Sequence, residues 1–323
     1  MEQEILNHPR TLALLEQFPN ATRILITHYK DIFNRSNQNM ALQSSQKKLI
    51  IAANHGQLIF PGAPVCQDFG NQHFYYTSNV MNCIYDCEYC YLQGMYPSSN
   101  LVVFVNIEDT FFELEQLLAK HSVYLCISYD TDLLALDGML NFLKSWITFA
   151  LQHSNLTLEV RTKSANRYAL QQLPVCKQVI YAWTLSPQSI TQQYEHKTPS
   201  LNLRLQSIKE AIQLGHRVRL CLDPLLLVQN AVPLYKELIT TVFQTISSDQ
   251  IEDVSIGVFR ISKDYLKQMR KQRPSSPLTQ YPYVQSQGYC HYDEKTTAQL
   301  LTPVIKQLEQ YISSERIFVW SET

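Results

Sequence analysis

Downstream of residue 122 the chain repeats one rhythm, a short apolar run followed by a longer amphipathic one. YLCISY precedes LDGMLNFLKSWITFALQ, LTLEVRT precedes SANRYALQQL, VIYAWTL precedes LNLRLQSIKEAIQLG, VRLCLDPLLL precedes PLYKELITTVFQTI, and VSIGVFRI precedes SKDYLKQMRKQ. The short runs read as buried strands and the periodic ones as helices. Such alternation specifies parallel strands joined by crossover helices, since two parallel strands cannot be joined by a tight turn. HFYYTSNV, further upstream, supplies a sixth strand. Functional residues on sheets of this kind sit at the C-terminal strand ends. Residues 1–70 read as a small preceding α/β segment. Residues 71–273 carry the repeating unit, and 274–323 a loop, a helix around TTAQLLTPVIKQLEQYI and a last strand, IFVW.

The N-terminus, MEQEILNHPRTLALLEQFPN, has acids and a proline where a signal peptide needs a basic start and an unbroken apolar stretch. No window is long and apolar enough for a membrane span, so a cytoplasmic location is expected. In that reducing compartment the eight cysteines are read for metal or catalysis rather than as four disulfides. Cys66, Cys126, Cys176, Cys221 and Cys290 are scattered singly, several of them inside apolar runs where a cysteine is usually a small core residue. Cys83, Cys87 and Cys90 instead cluster as C-x3-C-x2-C in VMNCIYDCEYCYLQG. A closed zinc site or an ordinary cubane takes four ligands, and no fourth cysteine or histidine lies nearby. Three thiolates therefore point to a [4Fe–4S] cluster with one iron open to a small molecule. Zinc with a distant fourth ligand is the alternative.

This motif is the signature of the radical S-adenosylmethionine (SAM) superfamily, and CEYCYLQG within it resembles the spore photoproduct lyase family. KKLIIAANHGQLIFPGAPV, the strand ending in RTKSAN, YAWTLSPQSITQQYEHKTPSLNLRLQSIKEAI and VRLCLDPLL occur in the corresponding order, so the resemblance covers about residues 20 to 320. It implies a partial (β/α)6 barrel related to the TIM barrel, with a [4Fe–4S] cluster and SAM as cofactors. It also implies that Cys83, Cys87 and Cys90 hold the cluster and that Lys163 meets the SAM carboxylate. Thr184 and Ser186 match the place near the methionine part, and Asp132, with Thr131 beside it, matches the acid after the second strand. For Asp132 a helix N-cap is the competing reading. Tyr89 and Tyr91 take the places of tyrosines beside SAM that are proposed to relay a hydrogen atom; packing against a cluster is their plainer role.

The resemblance breaks at the hydrogen-atom donor. Where the family has a cysteine three residues before the acid, this chain has Tyr129. Cys126 lies too deep on its strand to substitute, which leaves Tyr129, Cys290 or an outside donor to quench a product radical. Asp223, in LCLDPLL, stands where the family has a small apolar residue, and a proline-linked turn accounts for it.

A net charge of −1 over 323 residues excludes a general basic coat and leaves only a local patch for nucleic acid. Lys263, Lys267, Arg270, Lys271 and Arg273 recur near helical spacing and would group positive charge on one side of a helix. The aromatic loop YPYVQSQGYCHY offers rings for stacking on bases. Together these readings predict a radical SAM lyase that repairs thymine dimers in DNA, served by an electron donor such as flavodoxin or ferredoxin. The same radical chemistry on another substrate, and a non-catalytic metal-dependent nucleic-acid-binding module, are the competing functions.

Overall fold

The computed structural model describes residues 1–320. Eight strands form its main sheet: β1 (Ile59–Pro61), β2 (Phe74–Thr77), β3 (Val123–Cys126), β4 (Leu156–Thr162), β5 (Val179–Thr184), β6 (Arg217–Leu225), β7 (Val254–Val258) and β8 (Ile317–Val319). The spatial order runs β1 to β8 without a break. Every neighbouring pair from β2 to β8 is parallel, and β1 is antiparallel to β2. All six strands expected from the sequence are present, and IFVW adds a seventh parallel one. β5 is buried along its whole length, as a parallel strand covered on both faces must be. The barrel is open between β1 and β8. Loop 62–73 spans the opening: the Phe69 ring lies 5.3 Å from that of Phe318 on β8, and Arg260 donates to the Val65 carbonyl at 2.8 Å.

At the other end of the strands a buried polar network closes the floor. Arg219 is paired with Glu159 at 3.0 Å and also with Asp253, all three nearly inaccessible, with Tyr124 hydrogen-bonded to Glu159. Charges are tolerated there because each has a partner. The segment before the barrel wraps around the cysteine loop: Leu49–Ala52 pairs in parallel with Leu101–Phe104, which pairs with Val80–Met81. Phe33, Ile50, Val102 and Phe104 form the small core of that three-stranded sheet, with Cys83 and Cys90 packed against it. Among the described residues no helix is long and apolar enough to cross a membrane.

Candidate active site

The cysteine loop follows β2 and so lies at the C-terminal end of the first parallel strand. Asn82 turns the chain with φ of 70°, and its side-chain amide donates to the carbonyls of Ser98 and Asn100 at 2.6 and 2.8 Å. Asp86–Cys87 then pairs antiparallel with Glu195–His196, and the short helix Leu92–Met95 ends the loop. A side chain on Gly94 would run into the Tyr265 backbone carbonyl, so glycine is what lets the helix Lys263–Gln272 pack down onto the loop.

Cys83, Cys87 and Cys90 lie within electrostatic reach of one another. Burial pushes the Cys83 thiol up to about 12 and raises those of Cys87 and Cys90. Lys163 faces Cys87 and Cys90, and Lys47 donates to the Cys83 carbonyl. Three largely desolvated thiols, Cys87 buried and Cys83 and Cys90 half-buried, with two ammonium groups nearby suit a cofactor that replaces their protons with iron, because thiolates left bare would be costly there. Among the described residues no three His, Cys, Asp or Glu side chains gather as they would around a single ion. A four-iron cluster binds each thiolate on a different iron and asks for no fourth protein ligand, whereas a closed zinc site needs one.

Glu195 is the centre of the surrounding network. It receives hydrogen bonds from Tyr89, from Ser186 at 2.9 Å and from Arg204, and the Glu195 and Arg204 side chains are both fully buried. Arg204 also donates to the carbonyls of Thr184 and Pro199 at 3.1 and 3.0 Å, tying β5 to the helix Leu201–Gln213. Burial opposes the charge of Glu195, but Lys163 and Arg204 outweigh it and hold the carboxyl below its usual range. The Lys163 ammonium lies 5.4 Å from the Tyr89 ring centre. One carboxylate thus fixes Tyr89, Ser186 and, through charge, Lys163. Glu195 and Arg204 went unnoticed in the sequence because nothing in EHKTPSLNLR marks them as partners of a tyrosine more than a hundred residues earlier.

Asp132 caps the helix Leu133–Leu140 through Ala135 N–H at 3.0 Å and accepts from Thr162 Oγ1 at 2.8 Å and Lys163 N–H at 2.7 Å. It binds the ends of β3 and β4 together and orients Lys163 from behind. Thr131 beside it is buried with its hydroxyl unpartnered, whereas Thr184 offers its carbonyl to Arg204. Asp223 forms a two-pronged pair with Arg260, at 2.8 and 3.0 Å, in place of a simple turn. Tyr91 donates to the Tyr129 carbonyl, and Tyr129 stacks on Tyr76 at 4.0 Å between ring centres. The Tyr129 hydroxyl in turn lies 3.6 Å from the sulfur of Cys66. Asp130, next to Tyr129, is 3% exposed and accepts from Tyr96 at 2.8 Å, and burial raises its carboxyl.

Residues 75–298 match the family model for spore photoproduct lyase, which is more than half of the chain. The chain belongs to the spore photoproduct lyase family. The architecture agrees. A spore photoproduct lyase double mutant with bound AdoMet and dinucleoside spore photoproduct superposes with a TM-score of 0.83 at 17% identity, covering 100% of this chain and 97% of that one. Spore photoproduct lyase complexed with dinucleoside spore photoproduct gives 0.83 at 18% identity over the same shares. No curated protein matches. The family's cofactors, a [4Fe–4S] cluster and SAM, are those the three thiols and Lys163 are suited to hold.

In this family member the expected nucleic-acid face is narrower than its sequence implied. Lys263, Lys267 and Lys271 are exposed along one helix. Arg270 is instead half-buried and donates to the carbonyls of Thr279 and Tyr281 at 2.8 and 2.9 Å, while Arg273 pairs with Asp86 of the cysteine loop. Their guanidiniums hold the fold together and are not free for phosphate. The aromatic loop is likewise spent internally: Tyr281, Tyr283 and Tyr292 pack on one another with ring centres 4.9 to 5.3 Å apart. Cys290 is 2% exposed and pairs with Ile261 and Gln285 in a separate small sheet. Its charged neighbours are Arg270 and Lys263, away from the strand ends. The contact between Cys66 and Tyr129 has no signal in the sequence, since the two lie 63 residues apart on different loops.

Proposed function

We propose that this chain repairs spore photoproduct in DNA, with Cys83, Cys87 and Cys90 holding the cluster and Lys163, Ser186 and Thr184 lining the SAM place. The observation that carries this reading is three neighbouring cysteines at the C-terminal end of the first barrel strand, Cys87 buried and Cys83 and Cys90 half-buried, with the Lys163 ammonium within electrostatic reach of two of them. When bound, the cluster and SAM supply a 5′-deoxyadenosyl radical, able to take a hydrogen atom from the crosslinked thymines. The protein's part is placement. Glu195 and Asp132 fix Tyr89 and Lys163, the three-stranded sheet packs against Cys83 and Cys90, and Lys263, Lys267 and Lys271 present charge to the DNA backbone. A low-potential one-electron donor of the flavodoxin or ferredoxin type, in a reducing cytoplasm, completes the system.

The second reading, the same chemistry on another substrate, is favoured by one fact, the tyrosine at position 129. One anaerobic experiment separates them: reconstituted protein is given SAM, a reductant and dinucleoside spore photoproduct, and 5′-deoxyadenosine and thymidine are measured. Release of thymidine supports repair. Cleavage of SAM with no thymidine transfers the enzyme to the second reading.

A further inference from the structure

Opening a crosslink between two thymines by hydrogen abstraction leaves one of them as a radical on its methylene carbon. A hydrogen atom must then be returned to that carbon. A thiol is the side chain best suited to give it, since S–H breaks more easily than a phenolic O–H. Four of the five cysteines outside the cluster loop are shut away: Cys126 and Cys176 are 4% exposed, Cys221 is inaccessible and Cys290 is 2% exposed. Cys66 alone among them is half-buried. It sits on the loop that spans the barrel's side opening, 3.6 Å from the Tyr129 hydroxyl. Arg161, near the end of β4, Asp223, near the end of β6, and Arg260, just beyond β7, face it. Tyr91, next to Cys90 in the sequence, donates to the Tyr129 carbonyl with ring centres 5.7 Å apart, and Cys66 and Cys90 are both within its electrostatic reach.

We propose that Cys66 is the hydrogen-atom donor of this enzyme and that Tyr129 is the residue that positions it. The assignment rests on the repair reading above. In the step itself the S–H bond of Cys66 breaks and a C–H bond forms on the thymine methylene group, giving the thymine methyl and a thiyl radical. The thiyl takes one electron from the low-potential donor that also reduces the cluster, and one proton from water, which restores the thiol. With the phenol of Tyr129 donating to sulfur, the S–H remains free to point at substrate.

The test uses the reconstituted full chain in D2O with SAM, reductant and dinucleoside spore photoproduct. Native protein should place one deuterium in the methyl group of the released thymidine, since the thiol exchanges with solvent. Cys66→Ala and Cys66→Ser should keep SAM cleavage within about twofold but lower thymidine release roughly tenfold or more, because the loss falls on a step after abstraction. Cys290→Ala should leave both unchanged. Adding Tyr129→Cys to Cys66→Ala should restore thymidine release. In protein without cluster or SAM, the dinucleoside should protect Cys66 from iodoacetamide. Native rates and deuterium content in Cys66→Ala, or labelling of Cys66 indifferent to the dinucleoside, would overturn the assignment while leaving repair standing. Absence of thymidine from the native protein overturns the repair reading itself, and is seen before any variant is made.

Discussion

Around the cysteine loop the candidate side chains are held by buried partners from distant parts of the chain, whereas on the helix Lys263–Gln272 they face solvent or serve the fold. Glu195 gathers Tyr89, Ser186 and Arg204 from three separate segments, and Asp132 holds the backbone of Lys163. On the helix, the three exposed lysines have no such support, and the two arginines that do have partners spend them on the 279–281 turn and on Asp86. Radical chemistry needs fixed groups in a dry site, so it is built from buried ion pairs whose partial removal is expensive. Backbone recognition needs only mobile positive charge, which adds little to stability. The two regions should therefore answer mutation in opposite ways.

The largest effect belongs to the loop. Cys83→Ala, Cys87→Ala and Cys90→Ala should each abolish the brown, oxygen-sensitive cofactor and all SAM cleavage, as judged by iron content and 5′-deoxyadenosine. Full iron content in one variant would remove that residue from the ligand set. The buried pair comes next. Arg204→Met removes the only ion-paired partner of the Glu195 carboxylate among the described residues, leaving Lys163 as its remaining nearby positive charge, and should cost about 3–5 kcal/mol in urea unfolding, with Tyr89 losing its fixed place. A cost as small as that of an exposed pair, under about 1 kcal/mol, would mean that the two regions do not differ as described. The smallest effect on the fold is expected on the helix. Replacing Lys263, Lys267 and Lys271 together by Gln should leave the melting temperature unchanged, weaken DNA binding and flatten the slope of log affinity against log salt by about 2–3. Arg270→Gln should do the reverse, lowering stability with little change in that slope. An unchanged salt series in the triple variant would return this face to plain solvent exposure.

Local pattern made much of this readable in advance. The strands were visible because parallel strands covered on both faces are short continuous apolar runs, and VIYAWT is buried throughout. The cysteine motif was visible because ligands from one loop must be close in sequence. Lys163 stands out in the sequence by its place at a strand end. Helical spacing groups Arg270 with the lysines around one axis but does not say whether a carbonyl nine residues further on will claim its guanidinium. For Asp132 the cofactor place and the helix N-cap are competing readings of the sequence, and the structure shows the cap together with a bond to the Lys163 backbone.

The sequence by itself determined the alternation of strands and helices, the set of three thiols and the end of the sheet at which they stand, because each follows from short-range periodicity or spacing. Only the tertiary structure decided which charges meet in the interior, how the segment before the barrel closes over the cysteine loop, and that the sulfur of Cys66 reaches the Tyr129 hydroxyl. Contacts of that kind join residues tens to hundreds of positions apart, and their energy arises only when folding removes both groups from water. Until then they leave no mark on the order of the residues.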